Sequence, residues 1–199
     1  MIMHRPPIDP TMGDPVPLSP ASRAGLLRMA RETIAGYLRT QRKPEPASLA
    51  IPIDEEMKQP AGAFVTLHKG GMLRGCIGEI DPDRPLFDVV MDHALNAAFK
   101  DPRFPPVSPD ELDALHIEIS ALSAPVPVGI WTDIEIGRHG IILRLRRASA
   151  VFLPQVAPEQ GWTLETTLRH LSVKAGLDPD AWKDPDARFL VFEATVFGE

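Results

Sequence analysis

The sequence predicts an α+β fold with largely antiparallel sheets flanked by helices. Three observations point there. A β-hairpin is written into residues 62–80, where strand-forming Phe64-Val65-Thr66-Leu67 leads into Gly70-Gly71 and a second extended run. The elements follow in the order helix, hairpin, helix, strand, hairpin, helix, strand, whereas a doubly wound parallel sheet alternates strand and helix. No GxGxxG or GxxxxGK[ST] motif is present, so no nucleotide-binding loop is signalled.

Each element has a local cause. Ser19-Pro20 supplies an N-cap hydroxyl and a proline for the first turn of a helix. Leu26, Leu27, Ala30, Ile34, Tyr37 and Leu38 then recur at helical spacing. Residues 41–60 read as a polar connection with a short extended piece at 50–53. A second helix spans 85–100, with Leu86, Val89, Val90, His93, Ala94 and Ala97 on one face. It must stop before Pro102, which disfavours helical dihedrals in Asp101. Residues 115–123 alternate as a strand, and 141–147 and 150–153 read as two more. Thr163 caps a third helix running to Ala175, with Gly176 as its left-handed stop. Arg188–Phe197 closes the chain as one long strand.

Composition narrows the function classes. The 199 residues are enough for a sizeable core, in one domain or in two tightly joined lobes. No apolar run approaches the roughly 18 residues of a membrane span. A formal charge of −6 and the lack of a Lys/Arg run argue against general nucleic-acid binding. A single cysteine forms no internal disulfide, which fits a reducing cytoplasm. Without CxxC or HxxxH it gives no metal pattern either, and no cofactor is signalled. Several of the 22 prolines cluster near the N-terminus, so residues 1–18 read as a flexible leader and 19–199 as the folded domain.

The single cysteine lies in Leu73-Arg74-Gly75-Cys76-Ile77-Gly78. On a regular strand Arg74, Cys76 and Gly78 share one face, while Leu73, Gly75 and Ile77 share the other, toward the core. Arg74 would then lie about 7 Å from Cys76, near enough to favour a thiolate. Gly75 and Gly78 would clear room for a ligand or another backbone. This is the setting of a nucleophilic or ligand-gripping cysteine. The alternative is a small buried hydrophobe whose glycine neighbours permit close packing. His139, in a glycine-flanked loop, is the candidate base; His93 reads as a core residue. In "DPRFPPV" Asp101 and Arg103 are free to bind a ligand or to close a structural clamp, and "LPQV" presents Gln155 from a rigid turn.

Taken together and in order, "LRGCIG" at 73–78, "DPRFPPV" at 101–107, "IEIS" at 117–120, "GRHGI" at 137–141 and "LPQV" at 153–156 resemble the AMMECR-type domain family. Its prokaryotic members are called AmmeMemoRadiSam system protein A. The resemblance covers about residues 19–199. It implies two unequal lobes with a cleft between them, the larger holding both termini, and "LRGCIG" as the signature block. It supplies no reaction. It implies a shared pathway with a Memo-like protein and a radical S-adenosylmethionine enzyme. Two readings stay open: an enzyme or enzyme component, with Cys76 as nucleophile, His139 as proton-transfer group and Arg74 as anion holder, or a non-catalytic module gripping a peptide or partner protein.

Overall fold

The computed structural model describes residues 15–199. In chain order it contains helices α1 (Pro20–Thr40) and α2 (Glu55–Lys58), strands β1 (Ala63–Lys69) and β2 (Met72–Glu79), helix α3 (Leu86–Phe99), and strands β3 (Leu115–Leu122), β4 (Val126–Val128), β5 (Gly140–Leu145) and β6 (Ala148–Phe152). Helices α4 (Val156–Gln160) and α5 (Leu164–Lys174) and strands β7 (Arg188–Phe192) and β8 (Ala194–Gly198) complete it. The chain divides into two compact units, a larger one of Val16–Leu122 with Thr195–Glu199 and a smaller one of Ser123–Ala194.

The larger unit is a four-stranded sheet in the order β2-β1-β3-β8, with β1 antiparallel to both β2 and β3. Helices α1 and α3 pack on each other, and α3 packs on β1 and β2. Ser19 caps α1 as the sequence indicates, its Oγ accepting the Ser22 N–H at 3.2 Å. Leu26, Met29, Ala30 and Ile34 are fully buried, the spacing of one helix face. They meet Val65 and Leu67 of β1 and Ile117 and Ile119 of β3 in one core. Each of the larger side chains among them, the Leu, Ile, Val and Met residues, contributes about 1.5–3 kcal/mol by leaving water. Residues 41–60 hold more than a polar connection: Asp54 caps α2 through the Met57 N–H at 2.9 Å, and Met57 is 1% exposed. One turn of helix is too short to show periodicity.

The smaller unit is a second four-stranded sheet, β4-β7-β5-β6, antiparallel in every pair. Thr163 caps α5, and Gly176 follows at φ +75°. Leu168 and Leu171 of α5 pack with Leu143, Val191 and Trp182.

Three expectations need correction. Residues 188–197 are two strands in two different sheets. Ser123 makes the break at Glu193, donating its N–H to the Glu193 carbonyl and accepting the Glu193 N–H on its Oγ, both at 2.9 Å. Strand β4 escaped notice because Pro127 sits in it, which an edge strand tolerates. "LPQV" forms the expected turn, with the Val156 N–H donating to the Leu153 carbonyl at 3.2 Å, and leads into α4 with Gln155 at its N-cap. The folded chain also begins earlier than Ser19: Leu18 is 5% exposed and the Val16 carbonyl accepts from Thr195 Oγ1 at 3.1 Å. Residues 1–14 of the expected leader lie outside the described residues.

Candidate functional site

The site is built on β2, an edge strand. Gly70 and Gly71, at φ +58° and +77°, make the tight turn into it. The pairing with β1 then slips, with Leu67 opposite Gly75 but His68 opposite Leu73, so Arg74 is an extra residue in a β-bulge. The alternation expected for 73–79 breaks there. Leu73, expected in the core, is 40% exposed.

An edge strand leaves N–H and C=O groups without a ladder. At Cys76 these groups are met by side chains. The Cys76 N–H donates to Asp101 Oδ2 at 2.9 Å, and Arg103 Nη2 donates to the Cys76 carbonyl at 3.2 Å. Arg103 also grips the carboxylate through Nε to Oδ1 at 2.9 Å and Nη2 to Oδ2 at 2.7 Å. The Asp101–Arg103 pair thus replaces the peptide group of a missing neighbouring strand. Asp101 is 1% exposed in its side chain. Hydrogen bonds from Arg103 outweigh that burial and hold the carboxyl well below the usual carboxylate range, with help from the Cys76 N–H.

Because its N–H points away from β1, Cys76 forms a non-hydrogen-bonded pair with Thr66, the closer kind. Thr66 Oγ1 lies 3.3 Å from the sulfur, which is half-buried. Thr66 is opposite Glu118, and His68 is opposite His116. Thiol, hydroxyl, carboxylate and two imidazoles therefore share the sheet face opposite the core. Thr66, Glu118 and His68 went unremarked in the sequence, although the alternation of "FVTLHK" and "LHIEIS" carries them; only pairing aligns the two runs.

The glycines are explained by the chain itself. A Cβ on Gly75 would sit 2.1 Å from the Ala97 carbonyl oxygen of α3, and one on Gly78 would sit 2.3 Å from the Phe64 ring. Of the two occupants expected, a ligand or another backbone, the room beside Gly75 is taken by the helix backbone, and that beside Gly78 by Phe64 and the Ala63 carbonyl. Arg74 is likewise committed: its Nε and Nη2 bind Glu111 Oε1 and Oε2 at 3.0 and 2.9 Å. Glu111 also accepts the Ser108 N–H, and Arg74 followed by that N–H and Lys69 hold its carboxyl well below the usual range. Arg74 brackets the hairpin to the 108–114 turn. The guanidinium on the Cys76 backbone belongs to Arg103.

His139 and Gln155 lie in the smaller unit. His139 Nδ1 accepts the Glu135 N–H at 3.0 Å, and the His139 backbone N–H donates to the Glu135 carbonyl at 2.9 Å, closing a turn. Burial, then Arg138, push the imidazole pKa down from its ordinary value. Gln155 Oε1 is buried without a hydrogen-bond partner. His93 is buried as expected, with Nε2 3.2 Å from Glu79 Oε2. Among the described residues no group of three His, Cys, Asp or Glu could hold a metal ion, and no helix is long and apolar enough to cross a membrane.

The AMMECR1 sequence model matches residues 27–197, spanning the bulge, the clamp and both sheets. The chain belongs to the AMMECR1 family. A protein of Methanothermobacter thermautotrophicus is 40% identical over 191 residues, covering 92% of this chain and 97% of that relative. One from Methanopyrus kandleri is 43% identical, covering 87% and 86%. The crystal structure of an uncharacterized Pyrococcus horikoshii protein, PH0010, aligns with a TM-score of 0.80 at 38% identity, covering 87% of this chain and 89% of that one. No specific activity comes with these AMMECR1 relatives.

Proposed function

We propose that this AMMECR1 protein is an enzyme or enzyme component that uses Cys76 as a nucleophile or covalent carrier on the outer face of the larger sheet. The carrying observation is the mounting of that residue. Asp101 and Arg103 fix its backbone from the strand edge, while the half-buried sulfur meets only the Thr66 hydroxyl among its hydrogen-bond partners. A thiolate in that position gains a hydroxyl donor and the field of the Arg103 guanidinium. Glu118, two strands or roughly 10 Å away, bounds a substrate lying across the face. In this reading the protein works in the cytoplasm, in a pathway shared with a Memo-like protein and a radical S-adenosylmethionine enzyme.

The test is alkylation of the native protein by iodoacetamide across a pH series. Labelling should proceed without denaturant. Arg103→Ala should slow it at mildly acidic pH, and Arg74→Ala should leave the rate unchanged. His139→Ala should also leave it unchanged; a slowed rate would return the imidazole to the reaction. Labelling that needs denaturant makes Cys76 a packing residue and removes the nucleophile. The second reading, a module that grips a partner protein, is favoured by Met72 and Leu73, 73% and 40% exposed at the hairpin tip. Met72→Ser with Leu73→Ser should abolish partner capture under that reading and spare Cys76 labelling.

A further inference from the structure

The smaller unit contains a cavity of about 590 Å³ that the Cys76 reading does not use. Its size falls in the range of small-molecule sites, about 300–1,000 Å³. It lies where β4 ends after three residues and the chain turns away through Gly129 and Ile130. Ile130, Trp131, Trp182 and Phe189 form apolar walls, and Ile130 is 60% exposed. The two indoles meet edge to face, with ring centroids 5.0 Å apart. Such a wall suits the flat side of another aromatic ring. Trp182 is 4% exposed, and its Nε1–H is buried without a partner, an open donor in a residue of this wall.

Pairing off the charges in the lining decides what polar head the ring carries. Lys183 is bound to Asp180 at 3.1 Å and lies over the Trp182 ring. Asp184 accepts the Asp186 N–H and faces Arg146. Two groups remain without an ion-pair partner among the described residues: Arg188, whose Nη1 donates only to the Pro185 and Ala187 carbonyls, and Glu165. One free cation and one free anion on an aromatic cavity call for a ligand with an aromatic body and both charges.

We infer that this cavity binds a free aromatic α-amino acid, its ring against the indoles, its carboxylate toward Arg188 and its ammonium toward Glu165. The site is independent of Cys76, and its failure would leave the thiol reading intact.

The test is calorimetric titration of the whole protein with L-phenylalanine, L-tyrosine and L-tryptophan, with the indole emission followed for the first two. At least one should give saturable heat, and L-phenylalanine or L-tyrosine, if bound, a change in emission. For the best binder, the N-acetyl derivative lacks the cation and the amide lacks the anion; each should bind about tenfold more weakly or worse. Glu165→Gln should erase the preference over the N-acetyl form, and Arg188→Gln the preference over the amide. Both residues are exposed, so the fold should survive either change. No saturable heat at millimolar concentration, equal affinity for all three forms, or preferences unmoved by both substitutions would overturn the inference.

Discussion

At Cys76 the backbone is more constrained than the side chain. Its two peptide groups are bonded to Asp101 and Arg103, and its sulfur to one hydroxyl. The carboxylate is the hinge of this arrangement, because both of its oxygens accept from Arg103 and one also accepts from Cys76. Its folded pKa is depressed, first by Arg103. A depressed carboxyl stabilises the fold fully above its unfolded value, about 3.9, and that stability is lost as pH falls through the folded value. Asp101→Asn keeps an acceptor for the Cys76 N–H but removes the charge opposite Arg103. It should cost about 1.5–3 kcal/mol at pH 7. The urea midpoints of variant and parent should converge as pH drops below about 4. A gap that persists unchanged at pH 3 would mean that packing, and not the ion pair, sets the cost.

The elements were legible wherever their cause is local. The caps of α1 and α5, the apolar faces of α1 and α3, the two-glycine turn and the alternation at the start of β3 all follow from neighbours within a few residues. The Asp101–Arg103 clamp was legible as one of two options, since proline fixes the path and the side chains are complementary. What escaped depends on distant partners. The bulge at Arg74 exists only in the register against β1, so Leu73 and Arg74 were assigned to the wrong faces. The break at Glu193 depends on Ser123, 70 positions away. The purpose of Gly75 lies in α3, whose Ala97 carbonyl occupies the place of a Cβ. Gly75→Ala must push a helix backbone off the sheet, where no flexible side chain can yield. It should destabilise by about 3 kcal/mol in a denaturant titration. A loss below about 0.5 kcal/mol would show that α3 shifts freely and that Gly75 is there for another reason.

At the scale of the molecule, all of the smaller unit except Pro15, among the described residues, is one continuous stretch of chain inserted between two strands of the larger sheet. Residues 123–194 leave at the end of β3 and return at the start of β8, and those strands are neighbours in the order β2-β1-β3-β8. The ends of the insert are tied to each other by the two 2.9 Å bonds between Ser123 and Glu193. It has a core of its own, with Leu143, Leu168, Leu171 and Val191 around Trp182, and all three tryptophans of the sequence. Adjacent ends and a private core are the conditions under which an inserted segment folds alone. A peptide of residues 123–194 should therefore unfold cooperatively, with the Trp131–Trp182 pair reporting through its emission. Its stability should be modest, roughly 5 kcal/mol or less, because so short a chain buries a small fraction of its surface. A non-cooperative, linear loss of signal in urea would show that this core depends on the rest of the chain, and the two units would then be one folding domain.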